Sequence, residues 1–142
     1  MTNFLDTSVL VATFYANHQH HEPSLDLFVK QKKATAATAA HCLAEVYAVL
    51  TGVPGKNRAS PQEALLFLQD IRQRLSTVAL TEEEYFDLIE DAVAKGLTGG
   101  AVYDAVIGCC ALKADARAIY TWNTRHFSQL GKDIVARVRE PQ

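Results

Sequence analysis

The sequence predicts an α/β fold in which helices cover both faces of a mostly parallel central sheet. Short apolar segments with strand character alternate with longer segments that show helical spacing of apolar residues and helix-capping signals. Strands separated by one or two helices are typical of parallel pairs joined by crossover connections. Because 142 residues can bury one continuous core but not two, the expected architecture is a three-layer α/β/α sandwich formed by residues 1–142 as a single domain.

The first predicted strand, at residues 2–5, leads directly into a helix in the segment DTSVLVATF. Thr7 or Ser8 is available near the helix start to accept a hydrogen bond from an unpaired N–H group. Asp6 lies at the junction and interrupts an otherwise apolar run. A second helix is predicted in PSLDLFVKQK, where Pro23 suits a first-turn position and the basic residues mark the end.

A second strand is predicted at residues 34–38, although the alanines of this segment also favour a helix. The helix that follows contains CLAEVYAVL. Leu43, Val46 and Leu50 share one face of it, and Glu45 lies off the centre of that face.

Capping boxes predict two further helices. In a capping box the side chain of a hydroxyl residue caps the helix, and an acid three residues later accepts a hydrogen bond from the backbone N–H of that residue. The pairs are Ser60 with Glu63 and Thr81 with Glu84, and Pro61 stands at the first helical position of the earlier helix. Both helices are therefore expected to begin at these hydroxyl residues.

Three more strands are predicted in STVAL, RAIYTW and IVARV. Between the first two of these strands, LTGGAVYDAVIGCCALKA predicts a helix that starts near Gly99 or Gly100 and holds Asp104 in its first turns. The expected buried stripe of this helix is Val102, Ala105, Val106, Cys109 and Leu112.

The composition excludes several classes of protein. With 49% hydrophobic and 21% charged residues the chain is typical of folded globular proteins rather than disordered ones. A net charge of −2 provides no overall positive field for nucleic acid. Three cysteines without zinc-finger spacing are expected to be reduced and buried. Since there is no basic leader and no run of about 20 apolar residues, a cytoplasmic protein without a membrane partner is expected.

Four oxygen-bearing residues are expected to meet at one edge of the sheet. In an open parallel sheet the functional crevice lies at the carboxyl ends of the strands. Asp6 follows the first strand, Glu45 lies near the start of the helix after the second, Asp104 lies at the start of a later helix, and Asn123 follows IYTW. Four separate segments would therefore supply ligands to one place.

Such a group of acids predicts a metal site. Carboxylates crowded into a crevice raise one another's pKa and destabilise the fold unless a cation neutralises them. Mg²⁺ and Mn²⁺ prefer hard oxygen ligands and bind substrate phosphate oxygens together with protein carboxylates. The chemistry that this arrangement predicts is metal-assisted hydrolysis at phosphorus.

Four segments, FLDTSVLVA, CLAEVYAVL, GGAVYDAVIGCCA and IYTWNTRHF, follow one another in an order that matches a known family. The chain resembles the PIN-domain ribonucleases and is most similar to the VapC toxins of bacterial and archaeal toxin–antitoxin pairs. The first segment resembles that family's opening strand with its first acid, the second its Glu-bearing helix, and the third the helix start that holds its third acid. The resemblance covers nearly the whole chain.

This resemblance implies a PIN-like fold and an endoribonuclease that cleaves RNA phosphodiester bonds with Mg²⁺ or Mn²⁺. Asp6, Glu45 and Asp104 would be the metal ligands, and these three with Asn123 would be the catalytic residues. Asn123 stands where many relatives have Asp, which removes one negative charge and weakens the case for a second ion. The resemblance also implies a homodimer and a cognate antitoxin protein whose tail reaches the acidic crevice, commonly with a basic side chain.

Several other residues near the predicted site have structural explanations as well as functional ones. Thr121 can hydrogen-bond to the site, Arg125 can contact a phosphate or remain solvated, and Trp122 is expected to pack at a strand end rather than stack on a base. A polar loop before a helix explains His18, His20 and His21. Solvated positions are favoured over contacts with RNA for Lys30, Lys32, Lys33, Lys56 and Arg58.

Three other functions compete with the nuclease interpretation. A PIN-like module that binds RNA or protein without cutting is compatible with Asn123. A phospho-receiver domain also places acids at strand ends, but STVAL lacks the phosphoacceptor that its middle strand requires. An aspartyl phosphatase would normally carry a second Asp two residues after the first, where this chain has Ser8.

Overall fold

The computed structural model describes residues 2–142. Its centre is a sheet of five short strands: β1 (Asn3–Leu5), β2 (Ala36–Ala39), β3 (Ser76–Val78), β4 (Ala118–Tyr120) and β5 (Val138–Arg139). The order in the sheet is β3-β2-β1-β4-β5, and every neighbouring pair is parallel. All five strands therefore begin at one edge of the sheet and end at the other.

Helices flank this sheet, as the sequence predicts. They are α1 (Thr7–Phe14), α2 (His21–Val29), α3 (Ala40–Gly52), α4 (Pro61–Arg74), α5 (Glu82–Lys95), α6 (Ala101–Lys113), α7 (Thr124–Phe127) and α8 (Lys132–Val135), with a 3₁₀ turn at Gly55–Asn57. The predicted α/β/α sandwich with a parallel central sheet is confirmed.

The centre of the core is β1, which lies between β2 and β4. Phe4 is paired in register with Ala37 on one side and Ile119 on the other, and all three are fully buried. Small alanines on β2 allow the covering helices to approach closely. Thr38, also fully buried, donates its hydroxyl hydrogen to the carbonyl of Leu5 at 2.7 Å, so the polar side chain in this strand is satisfied.

The strand order excludes the phospho-receiver alternative. Receiver domains have the order 2-1-3-4-5, in which the first strand lies between the second and the third. Here β1 lies between β2 and β4, and β3 is an edge strand. The third strand, which is central in a receiver domain, therefore lies at the edge of this sheet.

Both predicted capping boxes are present. Ser60 accepts a hydrogen bond from the Glu63 N–H, and the Glu63 carboxylate accepts one from the Ser60 N–H. Thr81 and Glu84 make the same reciprocal pair at the start of α5. These contacts are local, which explains why the sequence alone identifies them.

Two local predictions were wrong. The N-cap of α1 is Asp6, and Ser8 donates its hydroxyl hydrogen to the Asp6 carboxylate instead of capping the helix. In IVARV, Ile134 and Val135 belong to α8, and only Val138 of that segment is in a strand. In the four-residue helix α8, Ile134 is buried and packs against Gly108, where an added Cβ would lie 2.7 Å from the Ile134 Cδ1 atom.

The predicted stripe of α6 was also too narrow. Ala105 and Val106 are buried, but Val102, Cys109 and Leu112 are only partly buried. The sheet and other helices surround α6, so further residues are buried as well, namely Ile107, Gly108, Cys110 and Ala111.

Cys42 and Cys110 are buried, Cys109 is partly buried, and all three thiols are free.

Across residues 2–142, every helix is too short or too polar to cross a bilayer.

We expect Ser60→Ala to lower the free energy of unfolding by about 1 kcal/mol, because it removes one of the two capping-box bonds. Urea denaturation would measure the change. Gln62→Ala alters an exposed position on the same helix and leaves the cap intact, so it serves as the control. Equal losses in both variants would contradict a specific role for the cap.

Candidate active site

Asp6 is a carboxylate buried at the carboxyl end of β1, with only 3% of its surface exposed. The Thr121 hydroxyl donates to its Oδ2 atom at 2.7 Å, and the Ser8 hydroxyl donates to the same oxygen at 2.9 Å. Burial raises the pKa of Asp6, and the hydrogen bonds from Thr121 and Ser8 oppose that rise. The side chain is therefore an acid held in one orientation by one donor from the first turn of α1 and one that follows the end of β4.

The same hydroxyl groups fasten the end of β4 to the end of β1. The Trp122 N–H donates to the Ser8 hydroxyl oxygen at 2.9 Å, and the Asn123 N–H donates to the Thr121 hydroxyl oxygen at 2.9 Å. Thr121 is fully buried. The prediction that Thr121 hydrogen-bonds to the site is confirmed, and its hydroxyl also positions the segment that carries Asn123.

Glu45 lies in the second turn of α3, which directly follows β2. The Thr7 hydroxyl donates to Glu45 Oε1 at 2.8 Å, and His41 Nε2 lies 3.7 Å from the same oxygen. The His41 ring also stacks on Tyr103 with centroids 5.3 Å apart. Its buried Nε2 atom makes no hydrogen bond within residues 2–142, so Glu45 is the acid nearest to an unsatisfied imidazole nitrogen.

Asp104 projects from the first turn of α6, where the helix dipole favours an anion. Burial raises its pKa to about 6, with a smaller rise from the negative charges of Asp6 and Glu45, while nearby His126 opposes the rise. His126 Nδ1 lies 3.9 Å from the Asp104 carboxylate. The three acids therefore interact electrostatically, as carboxylates in one crevice should.

One cleft of about 790 Å³ contains all four residues expected at the site. Asp6, Glu45 and Asp104 line it together with Asn123, whose side chain is exposed at the N-cap of α7 and makes no capping bond. The structure thus brings the four segments together at the carboxyl edge of the sheet. Their roles as metal ligands and catalytic residues stay predictions.

The cleft residues that were not predicted from the sequence include three histidines and one tyrosine. These four are His18, His20, Tyr103 and His126. The explanation of the histidine loop as a polar segment before a helix was incomplete, because His18 and His20 line the cleft. His20 reaches it by stacking on Trp122, with ring centroids 3.7 Å apart. That stacking partner is distant in the sequence, so no local pattern predicts the contact.

Trp122 packs as expected. In addition to its contact with His20, its indole N–H donates to the Ser24 hydroxyl at 2.8 Å. Arg125 is exposed and outside the cleft lining. The five cations expected at solvated positions are all exposed: Lys30, Lys32, Lys33, Lys56 and Arg58.

The chemistry of the donors fits a hard divalent cation. In the part of the chain from Thr2 to Gln142, no three His, Cys, Asp or Glu side chains are already grouped as direct ligands of one ion. Mg²⁺, however, keeps several waters and is commonly held by one or two carboxylates. Asp6 and Asp104, whose pKa values are raised, are oxygen donors whose negative charge a cation would stabilise.

A parallel sheet with acids converging at its carboxyl edge defines the class of α/β proteins whose active crevice lies at the strand ends. The family model of the PIN domain matches residues 4–133. The chain therefore belongs to the PIN domain family.

The relatives agree with this assignment. Ribonuclease VapC40 of Mycobacterium tuberculosis is 35% identical over 114 residues, which cover 80% of this chain and 81% of the relative. Among solved structures, VapC20 of Mycobacterium tuberculosis superimposes with a TM-score of 0.68 at 19% identity over 88% of this chain and 92% of that one. VapBC2 of Rickettsia felis gives 0.67 at 19% identity over the full length of both chains. These two structures are similar in fold.

We expect Asp104→Asn to stabilise the metal-free protein at neutral pH and not in acid. Because the pKa of Asp104 is higher in the folded state than its ordinary value of 3.8, ionisation destabilises the fold above about pH 6 and has no effect below the ordinary value. The expected gain is about 1 kcal/mol near pH 7.5 after allowance for partial exposure. Urea denaturation with a chelator at acidic and neutral pH would measure it.

Asp26→Asn removes an exposed carboxylate on α2 that is outside the cleft lining, and it is the control. A gain in the Asp104 variant that is the same at both pH values would contradict the raised pKa.

Proposed function

We propose that this protein is a metal-dependent endoribonuclease that cleaves RNA phosphodiester bonds and acts as the toxin of a toxin–antitoxin pair. The observation that carries the proposal is the convergence of Asp6, Glu45 and Asp104 in one cleft. It is supported by membership of the PIN domain family and by 35% identity to a protein named ribonuclease VapC40. We further propose that residues 1–142 act as one domain.

Asp6, Glu45 and Asp104 would hold Mg²⁺ or Mn²⁺, and the bound ion would polarise the phosphoryl group and lower the pKa of an attacking water. The chain's own residues prepare this site. Thr121 and Ser8 fix the Asp6 carboxylate. The Thr7 hydroxyl does the same for Glu45, so the acids are oriented before substrate binds.

Asn123 is proposed as a catalytic residue rather than a primary metal ligand. Its exposed amide lies in the cleft on a backbone that Thr121 fixes, so it can donate a hydrogen bond to a phosphate oxygen or offer its carbonyl oxygen. As a neutral group it leaves the negative charge of the site to the three acids.

A cognate antitoxin is proposed as the protein partner. The VapBC2 structure of Rickettsia felis, which has the same fold, is of a VapBC pair bound to a promoter DNA fragment. A basic antitoxin side chain entering the cleft would interact favourably with three carboxylates. Action on RNA, together with free thiols, favours the cytoplasm as its location.

A homodimer is proposed as well. Leu65 and Leu66 on α4 are 54% and 62% exposed, and Phe86 and Val93 on α5 are 60% and 77% exposed. Core packing does not explain these side chains, and burial against a second copy would remove them from water.

Binding of RNA or protein without cleavage is the second candidate function. The neutral Asn123, in a position where many relatives are acidic, favours it. The two functions differ in whether phosphodiester bonds are broken in the presence of a divalent ion.

We expect purified protein to cleave structured RNA with Mg²⁺ or Mn²⁺ and to lose this activity with a chelator. Asp6→Asn and Asp104→Asn should each lower the cleavage rate by about 100-fold or more, because each removes an anionic ligand. Gel analysis of end-labelled RNA would measure the rates.

Asp26→Asn is the matched control and should retain activity. Cleavage that survives both the chelator and the two cleft substitutions would reject the proposed mechanism. RNA binding without cleavage in any metal would favour the second candidate function.

We expect Asn123→Asp to tighten divalent-metal binding, because it adds a negative charge and a carboxylate oxygen to the cleft. Isothermal titration calorimetry with Mn²⁺ would measure a gain of about tenfold, in the range of one added charge interaction near a surface. Gln129→Glu adds the same charge elsewhere in the cleft lining and is the control. Unchanged or weaker affinity in the Asn123 variant would show that this position is outside the ligand sphere.

A further inference from the structure

A row of four cations lies along the edge of the sheet opposite the acidic cleft. Lys33, Arg74, Arg117 and Arg137 each precede a strand by one to three residues, and we call them the strand-entry row. Because all five strands are parallel, their amino-terminal ends share one edge.

Hydrogen bonds to the backbone place the members of the row side by side. Beside Arg74, the Ser76 hydroxyl donates to the carbonyl of Lys33 at 2.8 Å. Next to that segment, the Thr2 N–H donates to the Thr35 carbonyl at 2.8 Å, and the Arg117 N–H donates to the Thr2 carbonyl at 3.0 Å. The row therefore follows the sheet from β3 across β2 and β1 to β4.

The last member is Arg137. Its carbonyl accepts the Ile119 N–H at 2.8 Å, which places it next to the start of β4. With neighbouring strands about 4.8 Å apart, the row extends for about 19 Å across the sheet.

The cations of the row are not neutralised. Within residues 2–142 no carboxylate lies within 4.0 Å of any of the four, whereas Lys95 pairs with Asp91 and Lys113 pairs with Glu84. Lys33 and Arg117 are exposed. Asp70, Asp115 and Asp133 are near this edge along the chain, but these three acids are fewer than the four cations, so the row keeps a net positive charge.

Two members of the row are held in place by neutral groups. The Arg74 guanidinium donates to the Val29 carbonyl at 2.7 Å and lies 5.7 Å from the centre of the Phe28 ring. The Arg137 Nε donates to the Ala116 carbonyl at 2.9 Å. Neither contact removes the charge, so both guanidinium groups are ordered and keep their affinity for an anion.

Lys32 extends the positive surface. It lines a groove of about 430 Å³ between α2 and α4 together with Lys33 and Arg74. The net charge of the whole chain is −2 and the three acids lie at the opposite edge, so this concentration of positive charge is local. A line of unpaired cations fits a ligand whose negative charges also repeat along a line.

We propose that the strand-entry row binds the phosphate backbone of RNA outside the segment that enters the cleft. This inference rests on the proposed function, which supplies RNA as the polyanion. The acidic cleft attracts phosphate only through a bound cation, whereas the row attracts it directly. RNA long enough to reach both edges would therefore be held at the row while another part lies in the cleft.

The test is RNA binding with a chelator present, so that cleavage does not interfere. The probe is a fluorescein-labelled single-stranded RNA of about 30 nucleotides, followed by anisotropy between about 50 and 200 mM KCl. Lys33→Gln combined with Arg117→Gln removes two exposed members of the row. Lys56→Gln combined with Arg58→Gln removes one exposed lysine and one exposed arginine from the α3–α4 connection and is the matched control.

We expect the row variant to bind the RNA more weakly, by about tenfold or more. The slope of log affinity against log salt concentration should be smaller in magnitude by about 1.4, because two phosphate contacts are lost. The control should match the unmodified protein. A third variant, Lys33→Arg with Arg117→Lys, should restore binding because it keeps both charges. Unchanged thermal unfolding temperatures would show that all three variants are folded.

Equal weakening of the row variant and the control would show that net charge alone sets the affinity and would overturn the proposal. Absence of RNA binding by the unmodified protein, or row-dependent binding of polyglutamate in place of RNA, would overturn it as well. A parallel cleavage assay in Mg²⁺ separates this inference from the proposed function. If the protein cleaves RNA but the row variant binds RNA as well as the unmodified protein does, only the inference about the strand-entry row is rejected. If binding depends on the row but no RNA is cleaved, only the proposed nuclease function is rejected.

Discussion

The structure depends on a carboxyl group that is buried at the end of its central strand. Asp6 follows β1, the strand with neighbours on both sides, and it is almost completely enclosed. A carboxylate in such a place is unfavourable unless donors surround it. Thr121 and Ser8 provide these donors, and the backbone N–H groups of Thr7 and Ser8 add to them. The ends of β1 and β4 are joined by this group of bonds, so the position of the acid and the packing of two strands are one structural feature.

The electrostatic properties of the cleft follow from this constraint. Asp104 lies close enough to Asp6 and Glu45 for their charges to add to the rise in its pKa. Without a cation, the groups that oppose the repulsion are the hydroxyl and backbone donors and the nearby imidazoles of His41 and His126. An arrangement that is unfavourable when bare and favourable around a doubly charged ion is what metal-assisted hydrolysis requires. It also makes the cleft attractive to a basic side chain from another protein.

The parallel sheet separates charge between its two edges. Acids that follow strands collect at the carboxyl edge, and cations that precede strands collect at the amino edge, although the chain as a whole is close to neutral. Each group comes from segments far apart in the sequence. The same topology therefore places negative charge at the edge where a metal ion is proposed to bind, and positive charge at the opposite edge where RNA is proposed to bind.

The sequence by itself determined the class of fold, both capping boxes and the four residues that meet in the cleft. These features depend on local hydrogen bonds, on helical spacing and on the rule that parallel strands end at one edge. Only the tertiary structure decided that His18, His20, Tyr103 and His126 also line the cleft, that Ile134 is helical and that α6 is buried on several sides. Each of those outcomes depends on a partner distant in the chain, such as Trp122 for His20 or Gly108 for Ile134. Local patterns carry no information about such contacts, because the energy that fixes them appears only when the segments pack together.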